Sequence, residues 1–291
     1  MTARIEKLVI VGVGLVGGSF ALALKDAGAL GRVVGIGRGA RNIRRALDLK
    51  IIDAAGALDR VTFGDADLVL LAVPVGQMRA VMRSIAPLLG GRTVVTDAGS
   101  TKQDVVALAR RELKGALSRF VPGHPIAGTE KSGAEAASAG LYRGRRVVLT
   151  PLKENEPGAV ALVRAAWERC GASVFELQPR EHDAALAAVS HLPHVLAYAL
   201  VDQLARRKNA KQLFSYAAGG FRDFTRIASS HPEMWRDICL ANKKALLAEL
   251  DRYGGELERV RKMLERGDAG ALDALFSGAR DARSRWLKDA Q

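Results

Sequence analysis

Residues 7–24 read KLVIVGVGLVGGSFALAL, and no other stretch restricts the fold as strongly. A short apolar, β-branched run enters three glycines spaced GxGxxG (Gly12, Gly14 and Gly17) and leaves as an apolar helix-like segment. The spacing alone is weak, but between a strand and a helix it has a mechanical meaning. Gly12 permits a tight turn, Gly14 lets backbone approach a ligand, and Gly17 lets the helix lie close on the strand. Leu15 and Val16 then supply the first unpaired N–H groups of the helix, where an anion such as a pyrophosphate sits well. A chain that starts this way is committed to strand–helix–strand units and a parallel sheet.

The pattern continues. RVVGIGR (32–38), DLVLLAVPV (67–75) and RTVVTDAG (92–99) are further short apolar runs separated by helical periodicity. Strands of this kind are buried on both faces. RRVVLTP (145–151) and SVFEL (173–177) are expected to extend the same sheet, with a helix between them. Residues 1–178 therefore read as a Rossmann-type, doubly wound α/β dinucleotide-binding domain. Beyond QPREHD no strand pattern returns, and residues 179–291 read as all-helical. Leu186, Val189, Pro193, Leu196 and Leu200 form one helical stripe, and the opposite side is apolar too. A helix apolar all round must be covered, which suggests dimerisation through this helical domain. Gly254 and Gly255 are expected to interrupt a later helix.

Composition narrows the setting. The 291 residues suffice for two domains, and no run approaches eighteen consecutive apolar residues, so no membrane span is expected. The N-terminus lacks the features of a signal peptide, and the two cysteines, Cys170 and Cys239, form no framework. A cytoplasmic setting is the expectation. The formal charge of +13 is scattered and aromatics are few. Attraction of small anions therefore suits the charge better than nucleic-acid binding.

Open α/β sheets bind ligands beyond the carboxyl ends of their strands. The second strand ends at Arg38, followed by Arg41, Arg44 and Arg45, where an NAD-binding domain usually carries an acid. A guanidinium there can pair with a 2′-phosphate, which favours NADP over NAD. Val73 and Pro74 line the same edge after the third long strand. Ser100 and Lys102 follow the fourth. His124, hemmed in by Gly123 and Pro125, is expected on a loop off the regular elements.

GVGLVGGS, DAGSTK, HPIAGTEKSG, SHLPH, GGFRDFTRIA and MWRDI occur in this order. Together they resemble the prephenate and arogenate dehydrogenases of tyrosine biosynthesis, with the cyclohexadienyl dehydrogenases most alike. The resemblance spans about residues 5–255. It implies oxidative decarboxylation of prephenate and/or arogenate: hydride leaves C4 for the nicotinamide of NADP or NAD, CO2 departs, and the ring becomes aromatic. It implies that His124 is the catalytic histidine, and that Ser100 orients it and also lies against the cofactor. It further implies substrate contacts from Arg226, His194, Lys102, Thr129 and Glu130. Thr101 stands where the family often has valine and offers an added polar contact. A neutral imidazole can draw on an alcohol proton near neutral pH, and an arginine fork can hold a carboxylate. Arg222, four residues before Arg226, shares its helical face, but pairing with Asp223 or the surface suits it better.

HxxH in SHLPH, with His182 and Asp183 nearby, superficially suggests a metal site, yet Pro193 lies between the histidines and no HExxH acid accompanies them, so no metal is expected. His191 reads as an interface or satisfied histidine, Trp235 as packing, and His231 as a helix-start residue. Two other readings remain open on the residues alone: a 3-hydroxyacid or 6-phosphogluconate-type dehydrogenase, and a nucleotide-sensing protein with a dead site. Nothing ahead of the first strand suggests a fused second enzyme, and nothing after the helical part a regulatory domain. Any product inhibition is therefore expected to be competitive. No residue separates prephenate from arogenate.

Overall fold

The structure, a computed structural model, describes residues 4–129 and 131–289. Strands β1 (Ile5–Val11), β2 (Leu30–Ile36), β3 (Ala54–Ala55), β4 (Leu68–Leu71), β5 (Val94–Asp97) and β6 (Phe120–Val121) form one sheet, all parallel, in the order β3-β2-β1-β4-β5-β6. Helices α1 (Leu15–Asp26), α2 (Ala40–Asp48), α3 (Arg60–Phe63), α4 (Met78–Ile85) and α5 (Gln103–Glu112) connect them. The order reverses between β1 and β4, which is where such sheets open a crevice. Leu8, Ile10, Leu68 and Leu70 face one core with Phe20 and Leu24 of α1. Val9, Val11, Val69 and Leu71 face the other with Met78, Met82 and Ile85 of α4. Alternate side chains thus serve two cores, and the strands read as unbroken apolar runs.

RRVVLTP and SVFEL do not extend this sheet. They form β8 (Arg146–Leu149) and β9 (Ser173–Glu176), which join β7 (Gly123–Pro125) in a separate three-stranded sheet. β7 and β8 are antiparallel; β8 and β9 are parallel, joined by α6 (Pro157–Arg169). Pro122 is the physical cause. It lacks an N–H, so the ladder ends at Val121 and the chain leaves for the second sheet. His124 accordingly occupies a short strand, opposite Val148, rather than a loop.

The chain packs as two compact units, one ending at Lys243 and one beginning at Lys244. The first includes α7 (Pro179–Leu186), a π-helical turn over Ala187–His191, α8 (Leu192–Ala205), α9 (Ala210–Ser215), α10 (Gly219–Thr225) and α11 (Pro232–Ala241). Trp235 and Ile238 of α11 lie in the core beneath β4 and β5. Pro193 cannot donate backward to the preceding turn, and the helix widens just ahead of it. The extra residue in that turn rotates the expected stripe. Leu186 is buried, but Val189 is 74% exposed. The whole stretch Pro179–Ala205 is also long and apolar enough to cross a membrane by length and composition, with only 28% of its apolar window buried in this chain. The second unit holds α12 (Lys243–Glu265) beyond its first residue and α13 (Ala269–Asp289). Gly254 and Gly255 do not interrupt α12. Leu257, Leu264, Phe276 and Trp286 stand exposed on these helices.

Candidate active site

The glycine turn comes first. Gly12 has φ of +101°, and a Cβ there would lie 2.3 Å from the Ala72 carbonyl oxygen. A Cβ at Gly17 would lie 2.4 Å from the Gly12 carbonyl oxygen, so α1 can approach β1 only through glycine. Gly14, in contrast, opens on free space at the N-cap of α1, with no side-chain cap and no acid in the first turn. Unpaired amides at Leu15 and Val16 therefore meet an open approach, which fits a pyrophosphate. Val73 and Pro74, beyond β4, and the exposed Arg38, beyond β2, flank the turn on either side. The residues present fit a dinucleotide.

Asp97, at the end of β5, organises the neighbouring turn. Its carboxylate accepts from the Gly99 amide at 2.7 Å and the Gly123 amide at 3.2 Å, and it pairs with the ammonium of Lys102. Lys102 also donates to the Gly123 carbonyl at 2.7 Å. Both side chains are fully buried. The expectation that Lys102 binds substrate is thus corrected. Its ammonium is consumed inside the protein, tying the β5 turn to the strand that carries His124. Thr101 is likewise fully buried and offers nothing to the crevice. Ser100, just ahead of Thr101, is half-buried.

His124 meets a residue that sequence reasoning did not connect to it. Its Nδ1 lies 2.8 Å from Nε2 of His182, and Nδ1 of His182 lies 2.8 Å from Oδ1 of Asp183. Asp183 in turn accepts from the backbone amides of Lys102 at 2.8 Å and Gln103 at 2.9 Å, at the start of α5. Burial, with the cationic neighbours Lys102 and the imidazoles of His182 and His191, holds His124 well below the usual imidazole range. Burial lowers His182 as well, against the pull of Asp183. Asp183 lies below the usual carboxylate range, since its hydrogen bonds from His182, Gln103 and Lys102 outweigh burial. The REHD sequence at the head of α7 was the available signal, but nothing local shows what it faces.

The other histidines separate by role. His194 lies parallel to Trp235, ring centroids 3.6 Å apart at 20°, and its Nδ1 donates to the Ser190 carbonyl at 2.9 Å. Its Nε2 is then the lone-pair atom. Burial lowers its pKa, and the nearby Arg226 charge adds to this. His191 is buried within the chain and bonds to Asn242 at 3.1 Å, so it is a satisfied interior histidine. The HxxH pair therefore does not converge, and among the described residues no group of three His, Cys, Asp or Glu is arranged for a metal. His231 occupies the N-cap position of α11 without a side-chain hydrogen bond, as a helix-start residue ahead of Pro232.

Arg226 opens a 3-10 turn (Arg226–Ser229) directly after α10, which carries the exposed Arg222. Thr129 is exposed, and its hydroxyl accepts from the Lys131 amide at 3.2 Å. Glu130 lies outside the described residues. The segment after His124 is fastened by Asn42 of α2, which donates to the Val13 carbonyl at 2.5 Å and accepts from Ala134 N at 2.9 Å. Arg45 pairs with Glu135 beside it at 2.8 Å. This clamp was invisible in the sequence because its partners lie about 90 residues apart.

Comparison with known proteins decides the lineage. Residues 20–176 match the profile "Prephenate dehydrogenase, nucleotide-binding domain", and residues 178–278 match "Prephenate dehydrogenase, dimerization domain". The chain belongs to the prephenate dehydrogenase family. It is 37% identical to the prephenate dehydrogenase of Bacillus subtilis, over 96% of this chain and 75% of that one. It is 36% identical to the cyclohexadienyl dehydrogenase of Zymomonas mobilis, over 96% and 95%. A crystal structure of prephenate dehydrogenase from A. aeolicus, in complex with hydroxyphenyl propionate and NAD+, superposes with a TM-score of 0.92 at 37% identity, covering 98% of this chain and 99% of that one. Membership makes this chain an oxidoreductase of the prephenate and arogenate dehydrogenase class.

Proposed function

We propose that this enzyme oxidatively decarboxylates prephenate, arogenate or both to 4-hydroxyphenylpyruvate or tyrosine, with NADP favoured over NAD. The observation that carries the reading is the neutral, partly exposed imidazole of His124, fastened through Gly123 to the end of β5, one strand removed from the glycine turn after β1. A relative 37% identical over nearly the whole chain holds NAD+ and hydroxyphenyl propionate, a ring-bearing carboxylate of the same class as the proposed product. That supports the substrate class.

When bound, the oxidised nicotinamide supplies a hydride acceptor. The protein's part is to hold, orient and move one proton. The amides at the start of α1 hold the pyrophosphate, with Val73 and Pro74 alongside. His124 accepts the proton of the C4 hydroxyl as charge develops there, and a base kept neutral by its surroundings is ready to do so at neutral pH. Ser100 orients the hydroxyl from the adjoining turn. Arg226 receives a carboxylate, and His194, fixed against Trp235, offers its Nε2 to the same ligand. Thr129 and Glu130 belong to the segment that follows His124 and complete the substrate side.

The NADP preference rests on the exposed Arg38 just beyond β2, where an acid would otherwise hold a ribose hydroxyl, with Arg41 close behind it. We place the boundary between cofactor and helical domains at 178/179, which the meeting of the two profiles supports. The uncovered apolar side of Pro179–Ala205 supports a homodimer through the helical domain. Following absorbance of the reduced nicotinamide with prephenate, arogenate and 3-hydroxyacids, each against both cofactors, tests the assignment. Turnover of 3-hydroxyacids alone, or of nothing, refutes it.

A further inference from the structure

The His124–His182–Asp183 chain has a direction. A neutral imidazole has one N–H and one lone pair, so each hydrogen bond it makes fixes the other nitrogen. The Asp183 carboxylate already accepts two backbone amides at the N-terminus of α5, where the helix dipole favours an anion. An ionised carboxylate can only accept. Nδ1 of His182 must therefore carry the hydrogen along the 2.8 Å contact to Oδ1. That leaves the lone pair on Nε2 of His182, so along its own 2.8 Å contact Nδ1 of His124 must donate. His182 and Asp183 are at most 1% exposed, so water does not compete for these bonds. Asn242 donates to the Asp183 carbonyl at 2.7 Å and holds the aspartate's backbone from the other side.

We infer that His182 and Asp183 are positioning residues that lock His124 in the Nδ1–H tautomer, making Nε2 the atom that takes the substrate's hydroxyl proton. The inference rests on the proposed reaction for what Nε2 does, although the tautomer itself does not. During that step the substrate O–H bond breaks, its electron pair stays on oxygen, and a new N–H bond forms at Nε2. The Nδ1 hydrogen can then shift to Nε2 of His182, which moves the positive charge toward Asp183. The proton is lent rather than consumed. The aromatic product carries a phenol, so Nε2 returns the proton as the ring carboxylate leaves. Free imidazole offers both tautomers, whereas this chain of buried bonds selects one.

The groups facing His124 are His182 and His191 on the helical side and Lys102 beneath it. Asp97 and Asp183 are the acids acting on its partner His182. Asp183→Asn removes the carboxylate with little change in shape. Oδ1 of Asp183 takes both Nδ1–H of His182 and the Lys102 amide, and Oδ2 takes the Gln103 amide, so an amide nitrogen in either place meets a backbone N–H head-on. The variant no longer fixes the hydrogen on Nδ1 of His182, and the lock on the His124 tautomer is released.

Long-range ¹H–¹⁵N imidazole spectra of the full-length protein at neutral pH test this, with steady-state kinetics alongside. His124 is expected as Nδ1–H in the wild type and as a mixture of both tautomers in Asp183→Asn. In that variant kcat is expected to fall about tenfold or more, since neither the tautomer nor the charge moving toward residue 183 is then supported, with KM for substrate little changed. His182→Gln, which breaks the chain one step nearer, should also release the tautomer preference and lower kcat, and it serves if Asp183→Asn does not fold. An Nε2–H tautomer in the wild type overturns the inference, as does unchanged kcat in both variants. Failure of the wild type to oxidise prephenate or arogenate would sink the proposed function alone, because the spectra still decide the tautomer.

Discussion

His191 gives the sharpest quantitative test of the interior that supports the site. It is 1% exposed, and its Nδ1 faces the amide of Asn242 at 3.1 Å. The same amide nitrogen donates to the Asp183 carbonyl, so its second hydrogen is directed at the imidazole lone pair. Protonating His191 would place N–H against N–H inside the protein. Burial is the main cause, joined by His182 and His194 and opposed by Asp183, and it lowers the pKa from 6.5 to about 4. In the folded state His191 binds its proton less readily than in the unfolded chain. Its contribution to stability is therefore complete above pH 6.5 and is lost as pH falls through the window down to about 4. Across that window the loss is about 3 kcal/mol. His191→Gln keeps an acceptor for Asn242 but does not titrate. Urea unfolding of both proteins, at neutral pH and at several points down to the lower end of the window, isolates the effect, since His124 and His182 titrate in both. The wild type should lose about 3 kcal/mol more than the variant. Parallel stability curves for the two proteins would refute the reasoning.

His124→Asn should lower kcat by about 10²- to 10⁴-fold with KM little changed, because the bond to the departing proton strengthens only in the transition state. Arg226→Ala should chiefly raise KM for the carboxylate substrate; a large kcat loss at constant KM would show that its role is different. Arg38→Asp should reduce the NADP-over-NAD ratio of kcat/KM by about tenfold or more, the worth of a lost charge-assisted bond. Lys102→Met leaves Asp97 charged and buried beside Gly123, and chemical unfolding should show a loss of about 3–5 kcal/mol.

Much of this could be read along the chain. The glycine spacing between a strand and a helix committed the N-terminal part to a parallel sheet, because only glycine survives at Gly12 and Gly17 when α1 packs on β1. The apolar runs at β1, β2, β4 and β5 followed, since strands buried on both faces need no alternation. The order of the motifs around Ser100, His124, His194 and Arg226 pointed to one family. These are local patterns, and local patterns survive in one dimension.

What the tertiary structure decided involves groups far apart in sequence. Pro122 sends the chain from one sheet to another, so RRVVLTP and SVFEL, which look like any buried strand, pair elsewhere. Lys102 reads as an exposed motif lysine until Asp97 and the Gly123 carbonyl are seen to enclose it. The continuous reading of the helix after residue 179 missed a π turn that costs one residue of register and turns Val189 outward. Above all, His182 and Asp183 sit about 58 residues from His124, and only the packing of α7 against the start of α5 brings them together. Hydrogen bonds act over 3 Å regardless of sequence separation, so the identity of a base can be read from a motif, but the nitrogen it uses cannot.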